Sequence, residues 1–310
     1  MIKTPLVSMV IPSFNHGAYI QTCIESVICQ DYRNIELIII DDGSTDDSID
    51  RIREKITACM NRFTRFEFRS RNNKGVAETI NEAIDWATGS YFAAIASDDL
   101  LHPNKTSILL RNIDNEQSDV VGIFSSCELI NQNGAVVGNR SFATNYLTFN
   151  EIITCKYSIP ASSQLLRLEK VREVGGYPAQ LGIEDWYMWL ALTNKGYKLK
   201  IISDFLVQYR HHDDNTSKNP SIMFEARKII LSSYKNHPLY LYAMALVQVS
   251  AAIDYSAFAK KKSFRHLIHA VKSDWNVLLT NQFLVAVLMF FLPAFSIKRL
   301  VEIWRRISLL

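Results

Sequence analysis

Three short apolar runs, each ending in a polar or acidic cluster and alternating with amphipathic stretches, constrain this chain most. Residues 6–11 lead into Pro12-Ser13-Phe14-Asn15, residues 35–40 into Asp41-Asp42-Gly43-Ser44, and residues 91–96 into Ser97-Asp98-Asp99. Residues 17–30, 48–59 and 76–87 carry helical spacing between them, and residues 63–68 read as a further strand. Apolar runs without alternation are strands buried on both faces, and their alternation with helices predicts an α/β fold on a mainly parallel sheet flanked by helices. Ligands bind such sheets beyond the carboxyl ends of the strands. The polar clusters of this sequence fall at those ends.

The 310 residues suffice for one large α/β domain and an appendage. A net charge of +3 gives no nucleic-acid signature over the whole chain. The charge is unevenly spread, however. Residues 221–310 hold 12 Lys/Arg against 4 Asp/Glu, a net +8, which leaves −5 on the first 220. An acidic front and a basic, aliphatic tail predict two jobs. The five cysteines form no C-x-x-C pair, so a zinc site or disulfide framework is disfavoured and a reducing compartment fits better. The first residues lack the long apolar run and cleavage site of a signal peptide, so the front domain is expected in the cytosol.

Residues 120–124 and 135–138 read as strands around a turn, residues 184–192 as a helix with Trp186 facing inward, and residues 198–207 as a last strand leading to Tyr209-Arg210-His211-His212. Carboxylates at a strand end suit a hard cation such as Mg²⁺ or Mn²⁺ shared with substrate phosphates, which is one reading of Asp98-Asp99. The other is a helix cap or turn. Asp41-Asp42 reads equally as a turn, and Phe14 as core or as a platform for a base. Glu184-Asp185 opens a helix, where acids favour the dipole, but a carboxylate there can also take a proton from a hydroxyl. His212 is open between a surface position and a metal or phosphate contact.

Taken together and in order, residues 7–15, residues 36–46, Asn73-Lys74-Gly75, Ser97-Asp98-Asp99, Glu184-Asp185-Trp186 and Tyr209-Arg210-His211-His212 resemble glycosyltransferase family 2. That resemblance covers residues 5–217 and implies the GT-A fold and inverting transfer of one sugar from a nucleotide-diphosphate donor, UDP before others. It places the donor nucleotide on Pro12, Phe14, Asp42 and Asp98. It gives a divalent metal, Mn²⁺ or Mg²⁺, to Asp99 first, with Asp98 and His212, and makes Asp185 the catalytic base. Glu184 and Trp186 fall beside the acceptor or behind the base. The chain departs from the family at Ala96, where many members carry a further Asp, and at Ile80, where many carry Arg. The Q-x-x-R-W motif of processive synthases is absent, so single additions are expected. A sugar nucleotidyltransferase and a catalytically inactive scaffold of the same fold are the competing readings.

The expected domains are 1–217, catalytic, with a nucleotide-binding half (1–100) and an acceptor half (101–217), and 218–310, a helical tail. In the tail, residues 238–253 and 277–297 are strongly apolar and Lys260-Lys261-Lys262 lies between them. Residues 277–297 approach the ~20 needed to cross a bilayer, but Asn281, Gln282 and Pro293 interrupt them. Basic flanks favour attachment to an anionic membrane surface. The competing reading is a helical appendage or a contact with a second copy. The resemblance suggests a glycan or polyprenyl-linked glycan acceptor at the cytoplasmic face of the inner membrane, in the synthesis of bacterial surface polysaccharide.

Overall fold

The computed structural model describes residues 4–157, 159–178, 184–212 and 219–292. They form two compact units, one of residues 4–148, 159–178 and 184–211, the other of residues 149–157, 212 and 219–292.

The first unit opens with β1 (Val7–Ser13), α1 (Gly17–Ile28), β2 (Ile35–Asp41), α2 (Ser48–Arg53), α3 (Ile56–Arg62), β3 (Arg65–Ser70), α4 (Val76–Trp86) and β4 (Tyr91–Ala94). Every residue of β2 is buried, as its unbroken apolar run requires. The single helix expected over 48–59 is two, since the chain turns at Glu54-Lys55. The third strand begins at Arg65, two residues later than expected, and lies on the sheet edge.

Next come β5 (Leu100–Leu101), α5 (Lys105–Asp114), β6 (Val120–Asn131), β7 (Val136–Arg140) and β8 (Asn145–Leu147). After α6 (Phe149–Ile153) of the second unit follow β9 (Leu165–Arg167), α7 (Leu168–Glu173), α8 (Glu184–Asn194) and β10 (Lys198–His211). The sheet order is β3-β2-β1-β4-β9-β6-β10-β5, with β7 on β6 and β8 on β10. β3, β2, β1 and β4 are parallel, and β10 is parallel to β6. Three-residue β9 runs antiparallel between β4 and β6, so both of those strands point the same way. The carboxyl ends of β1, β2, β4, β6 and β10 therefore share one sheet edge. β10 continues four residues past the expected end, and Tyr209, Arg210 and His211 pair with Leu129, Ile130 and Asn131 of β6.

The second unit is helical: α6, α9 (Pro220–Ser232), α10 (Tyr240–Tyr255), α11 (Lys260–Ser273) and α12 (Asn281–Phe291). Its core joins Ala245, Val249 and Ala252 of α10 to Leu267 and Ala270 of α11, and to Ala286 and Met289 of α12. The long apolar stretch beginning at Val277 is broken: a 3₁₀ turn (Trp275–Leu279) ends at Thr280, whose hydroxyl accepts the Phe283 N–H at 3.1 Å and starts α12 afresh. Lys260 Nζ closes the other end of α12 on the carbonyls of Met289 (3.3 Å), Phe290 and Leu292 (2.6 Å). No described helix is long and apolar enough to cross a membrane. Residues 293–297 of the apolar stretch, Pro293 included, lie outside the described residues.

Candidate functional site

The loops after β1 and β2 are stitched together. Pro12 is half-buried in β1 opposite Ile40, and Phe14 beyond it is 45 % exposed. Asn15 takes a left-handed φ of 51°. Its N–H donates to Ser44 Oγ (2.8 Å) and its Oδ1 accepts the Thr45 N–H (2.8 Å). His16 N–H donates to Ser48 Oγ (3.0 Å) and Gly17 N–H to Asp46 (2.9 Å). A Cβ on Gly17 would press on the exposed Asp47 carboxylate, which would have to swing aside.

The acid pair ending β2 is occupied by its own chain. Asp41 accepts the Ser44 N–H (2.9 Å) and hydroxyl (2.6 Å). Asp42 is buried and accepts the backbone N–H groups of Lys74 and Gly75, both at 2.8 Å, and pairs with Arg71. Asp42 thereby fixes the Asn73-Lys74-Gly75 loop beside the first two strand ends.

The acid pair after β4 has other surroundings. Asp98 and Asp99 are both buried. Asp99 Oδ2 accepts from Ser162 Oγ (2.6 Å), which itself accepts the Ala96 N–H (3.0 Å). Asp99 Oδ1 accepts the Arg210 N–H (2.8 Å), and Arg210 Nε donates to the Asp98 carbonyl (2.7 Å). The Arg210 guanidinium also reaches the Asn131 carbonyl (3.1 Å) and lies 4.8 Å from the centre of the Tyr19 ring. Burial, and then the neighbouring Asp98 charge, push the Asp99 carboxyl well above the ordinary carboxylate range. His16 Nδ1 lies 2.7 Å from Ser97 Oγ, and His16 and Asp98 offer metal-ligating atoms within 4.8 Å of one another.

Asp185 lies in the first turn of α8, where its Oδ1 accepts the N–H of Trp186 at 2.6 Å. Trp186, Met188, Trp189 and Leu190 are buried, and Trp189 stands edge-on to Phe124 at 5.2 Å, which seats the helix. Glu184 opens α8. Asn81 of α4 clamps Tyr177, its side chain donating to the Tyr177 carbonyl (2.6 Å) and accepting the Tyr177 N–H (2.8 Å). The neighbouring Ile80 is buried core. His212 directly follows β10, is buried, and falls in the second unit.

The strand-end loops thus bring together Pro12, Phe14 and Asp42 on one side and Asp98, Asp99 and His16 on the other. Sequence reasoning passed over His16, Ser162, Arg210 and Asn81. Arg210 had a visible signal, being a polar side chain inside a motif stretch, and His16 directly follows one. Ser162 and Asn81 had none.

The family model for glycosyl transferase family 2 matches residues 8–160. The chain is 26 % identical over 216 residues to the hyaluronan synthase of Pasteurella multocida, covering 69 % of this chain and 21 % of the synthase. It spans between 21 % and 38 % of the length of three curated relatives that it matches. Its fold is similar to S. aureus TarS 1–349 in complex with UDP-GlcNAc (TM-score 0.65, 17 % identity, 97 % of this chain and 91 % of that one). It is also similar to a mannosyltransferase of Pyrobaculum calidifontis in complex with GDP-Man and Mn²⁺ (TM-score 0.61, 13 % identity, 98 % and 87 %). The curled mixed sheet with its flanking helices is the GT-A fold, and over residues 8–160 this chain belongs to glycosyltransferase family 2.

Proposed function

We propose that this chain is an inverting glycosyltransferase that moves one sugar from a nucleotide-diphosphate donor, a UDP-sugar in preference, to a hydroxyl of a glycan or lipid-linked glycan. Residues 1–217 carry the catalysis. The reading rests above all on one observation: the loops ending β1, β2 and β4 share a sheet edge, and there Asp98 has a ligating atom within 4.8 Å of one on His16. The donors bound in two structural neighbours, UDP-GlcNAc and GDP-Man, support a nucleotide sugar here. Relatives such as the hyaluronan synthase support a polysaccharide context.

In this reading exposed Phe14 and half-buried Pro12 take the base of the donor. A carboxylate oxygen and an imidazole nitrogen together suit Mn²⁺ well, since that cation accepts both. Asp98 is then its first protein ligand, with His16 beside it and His212, two residues beyond Arg210, as a further one. Asp99, whose two oxygens accept from Ser162 and Arg210, orders the turn and is the weaker candidate ligand. The cation, when bound, would stabilise the negative charge that grows on the departing diphosphate.

Asp185 takes the proton of the acceptor hydroxyl. That oxygen forms its bond to the anomeric carbon while the nucleoside diphosphate leaves with the bonding pair from the opposite face, inverting the configuration. Glu184 and Trp186 lie at the acceptor side or behind the base. The basic tail holds the enzyme at the cytoplasmic face of the membrane, with a second copy of the chain as the alternative contact.

The test is turnover of a panel of nucleotide sugars with Mn²⁺ and glycan acceptors. Asp185→Asn should retain donor binding and lower turnover ~10²–10⁴-fold, the range of a general base. Near-normal turnover in that variant removes Asp185 from the role. Unchanged activity in excess chelator removes the metal.

A further inference from the structure

The core of the second unit is closed, yet its outer surface is largely apolar and basic. Along α11 the exposed positions include Lys261, Phe264, Arg265, Ile268 and Lys272, spaced three and four apart, so cations and apolar side chains share one stripe. This helix carries five Lys/Arg and no acid. Beside it α12 exposes Leu284, Leu288 and Phe291, the last at 78 %, and the 3₁₀ turn between them exposes Trp275 and Leu279, the latter at 79 %. A groove of about 500 Å³ lies between α11 and α12, walled by Phe264, Ile268, Val271, Phe283 and Phe290, with Lys272 also lining it.

So much apolar surface on a closed unit marks an interaction site. The charge pattern selects the partner. The cores of protein–protein interfaces are depleted in lysine, whereas an interfacial helix mixes lysine and arginine with large apolar groups and draws on anionic headgroups. The sequence beyond the described residues continues this bias, with Lys298, Arg299, Arg305 and Arg306 against a single acid, Glu302.

We propose that the α11–α12 face is a docking surface for an anionic phospholipid bilayer, lying along it, with its apolar groove open to one acyl chain. The inference deepens the membrane-attachment part of the proposed function and is independent of the sugar-transfer part. Lys261, Arg265 and Lys272 meet the headgroups. Trp275, Leu279, Leu288 and Phe291 enter the boundary between headgroups and chains.

The experiment is co-sedimentation of the full chain with vesicles of phosphatidylcholine alone and of phosphatidylcholine mixed with phosphatidylglycerol, at low and high salt. Binding should require the anionic lipid and weaken with salt. Each cation contributes about fivefold to partitioning. Lys261→Gln/Arg265→Gln/Lys272→Gln should therefore lose about 100-fold, and Leu288→Ser/Phe291→Ser should also bind less. Brominated lipid should quench tryptophan fluorescence, and Trp275→Phe should reduce that quenching. All these positions are exposed, so circular dichroism and sugar transfer to a soluble acceptor should match the unaltered chain. Two results overturn the proposal: equal, salt-insensitive binding to neutral vesicles, or no vesicle binding together with a dimer that Leu288→Ser/Phe291→Ser dissolves. Either can occur with sugar transfer intact, so failure here is distinguishable from failure of the glycosyltransferase reading.

Discussion

Ser162→Ala tests whether the acid turn after β4 is built in the way the hydrogen bonds indicate. Ser162 is 1 % exposed and its hydroxyl serves two partners, donating to Asp99 Oδ2 at 2.6 Å and accepting the Ala96 N–H at 3.0 Å. Truncation removes both bonds without room for replacement donors. Burial favours the neutral form of the Asp99 carboxyl, so this hydrogen bond is worth about 0.5–1.5 kcal/mol, and an orphaned buried N–H costs about 1–3 kcal/mol. The two losses overlap through one side chain, so the expected destabilisation is about 3 kcal/mol. Urea denaturation of the intact chain, at a pH where the protein is well folded, measures it as a lower midpoint at unchanged slope. Ser163→Ala is the control, since that neighbouring hydroxyl reaches only the Pro160 carbonyl at 2.7 Å and should cost about 1 kcal/mol. A double-mutant cycle with Asp99→Asn should return a coupling of about 0.5–1.5 kcal/mol. A Ser162→Ala cost below that of the control, or no coupling to Asp99, would show that Ser162 does not hold the turn.

Three further outcomes follow from buried charge. Glu36 on β2 is buried and accepts from Ser8 (2.6 Å), the Thr88 N–H (2.5 Å) and hydroxyl (2.8 Å), and Gly89 (3.0 Å). Burial alone would raise its pKa, but these donors outweigh it and leave it below the usual value of 4.5. Its stabilisation is therefore complete above pH 4.5 and is lost as pH falls through the folded value, and Glu36→Gln, at a cost of about 2–4 kcal/mol at neutral pH, should remove that acid-side slope in pH-resolved denaturation. Lys105 of α5 is fully buried with its amine 3.2 Å from the Gln164 carbonyl, and burial lowers its pKa to about 7. The unfolded chain then binds the extra proton between pH 7 and 10.5, so stability should rise across that window by an amount on the order of 4 kcal/mol, and Lys105→Met should flatten the rise. Asp42→Asn should destabilise the chain by about 2 kcal/mol with or without nucleotide, because its carboxylate anchors the Lys74 and Gly75 amides; unchanged stability would show that loop to be held otherwise.

What the sequence makes legible follows from how far each signal reaches. The unbroken apolar runs announce β1, β2 and β4, and the acids behind them mark the sheet edge, because burial on both faces leaves a one-dimensional trace. Three-residue β9 is too short to carry a period, although it separates β4 from β6 and its approach holds Ser162 under Asp99. The end of β10 hides for another reason: Tyr209, Arg210 and His211 look like a polar loop, yet their pairing with β6 keeps them extended, and the Arg210 amide serves Asp99 from there. In the tail, hydropathy counts residues 277–297 as one stretch, while the threonine hydroxyl at position 280 starts a new helix and leaves α12 only 11 residues long.

Two Asp-Asp pairs at two strand ends look alike in the sequence, and the fold gives them different work. Asp42 faces a loop that turns two peptide N–H groups and an arginine toward it, so its charge is spent on fixing that loop. Asp99 has one serine and one strand amide, and Asp98 beside it has a ligating atom near His16. The difference is decided by which donors the neighbouring elements present, and those come from residues about 30 positions away for Asp42 but 63 (the Ser162 hydroxyl) and 111 (the Arg210 amide) away for Asp99. Many members of the family place a further acid at the position of Ala96, where this chain has only a methyl group; the backbone N–H there, which an acid would keep, donates to Ser162. In the proposed reading the imidazole of His16, arriving from the loop after β1, would stand in for that carboxylate from outside the acid motif.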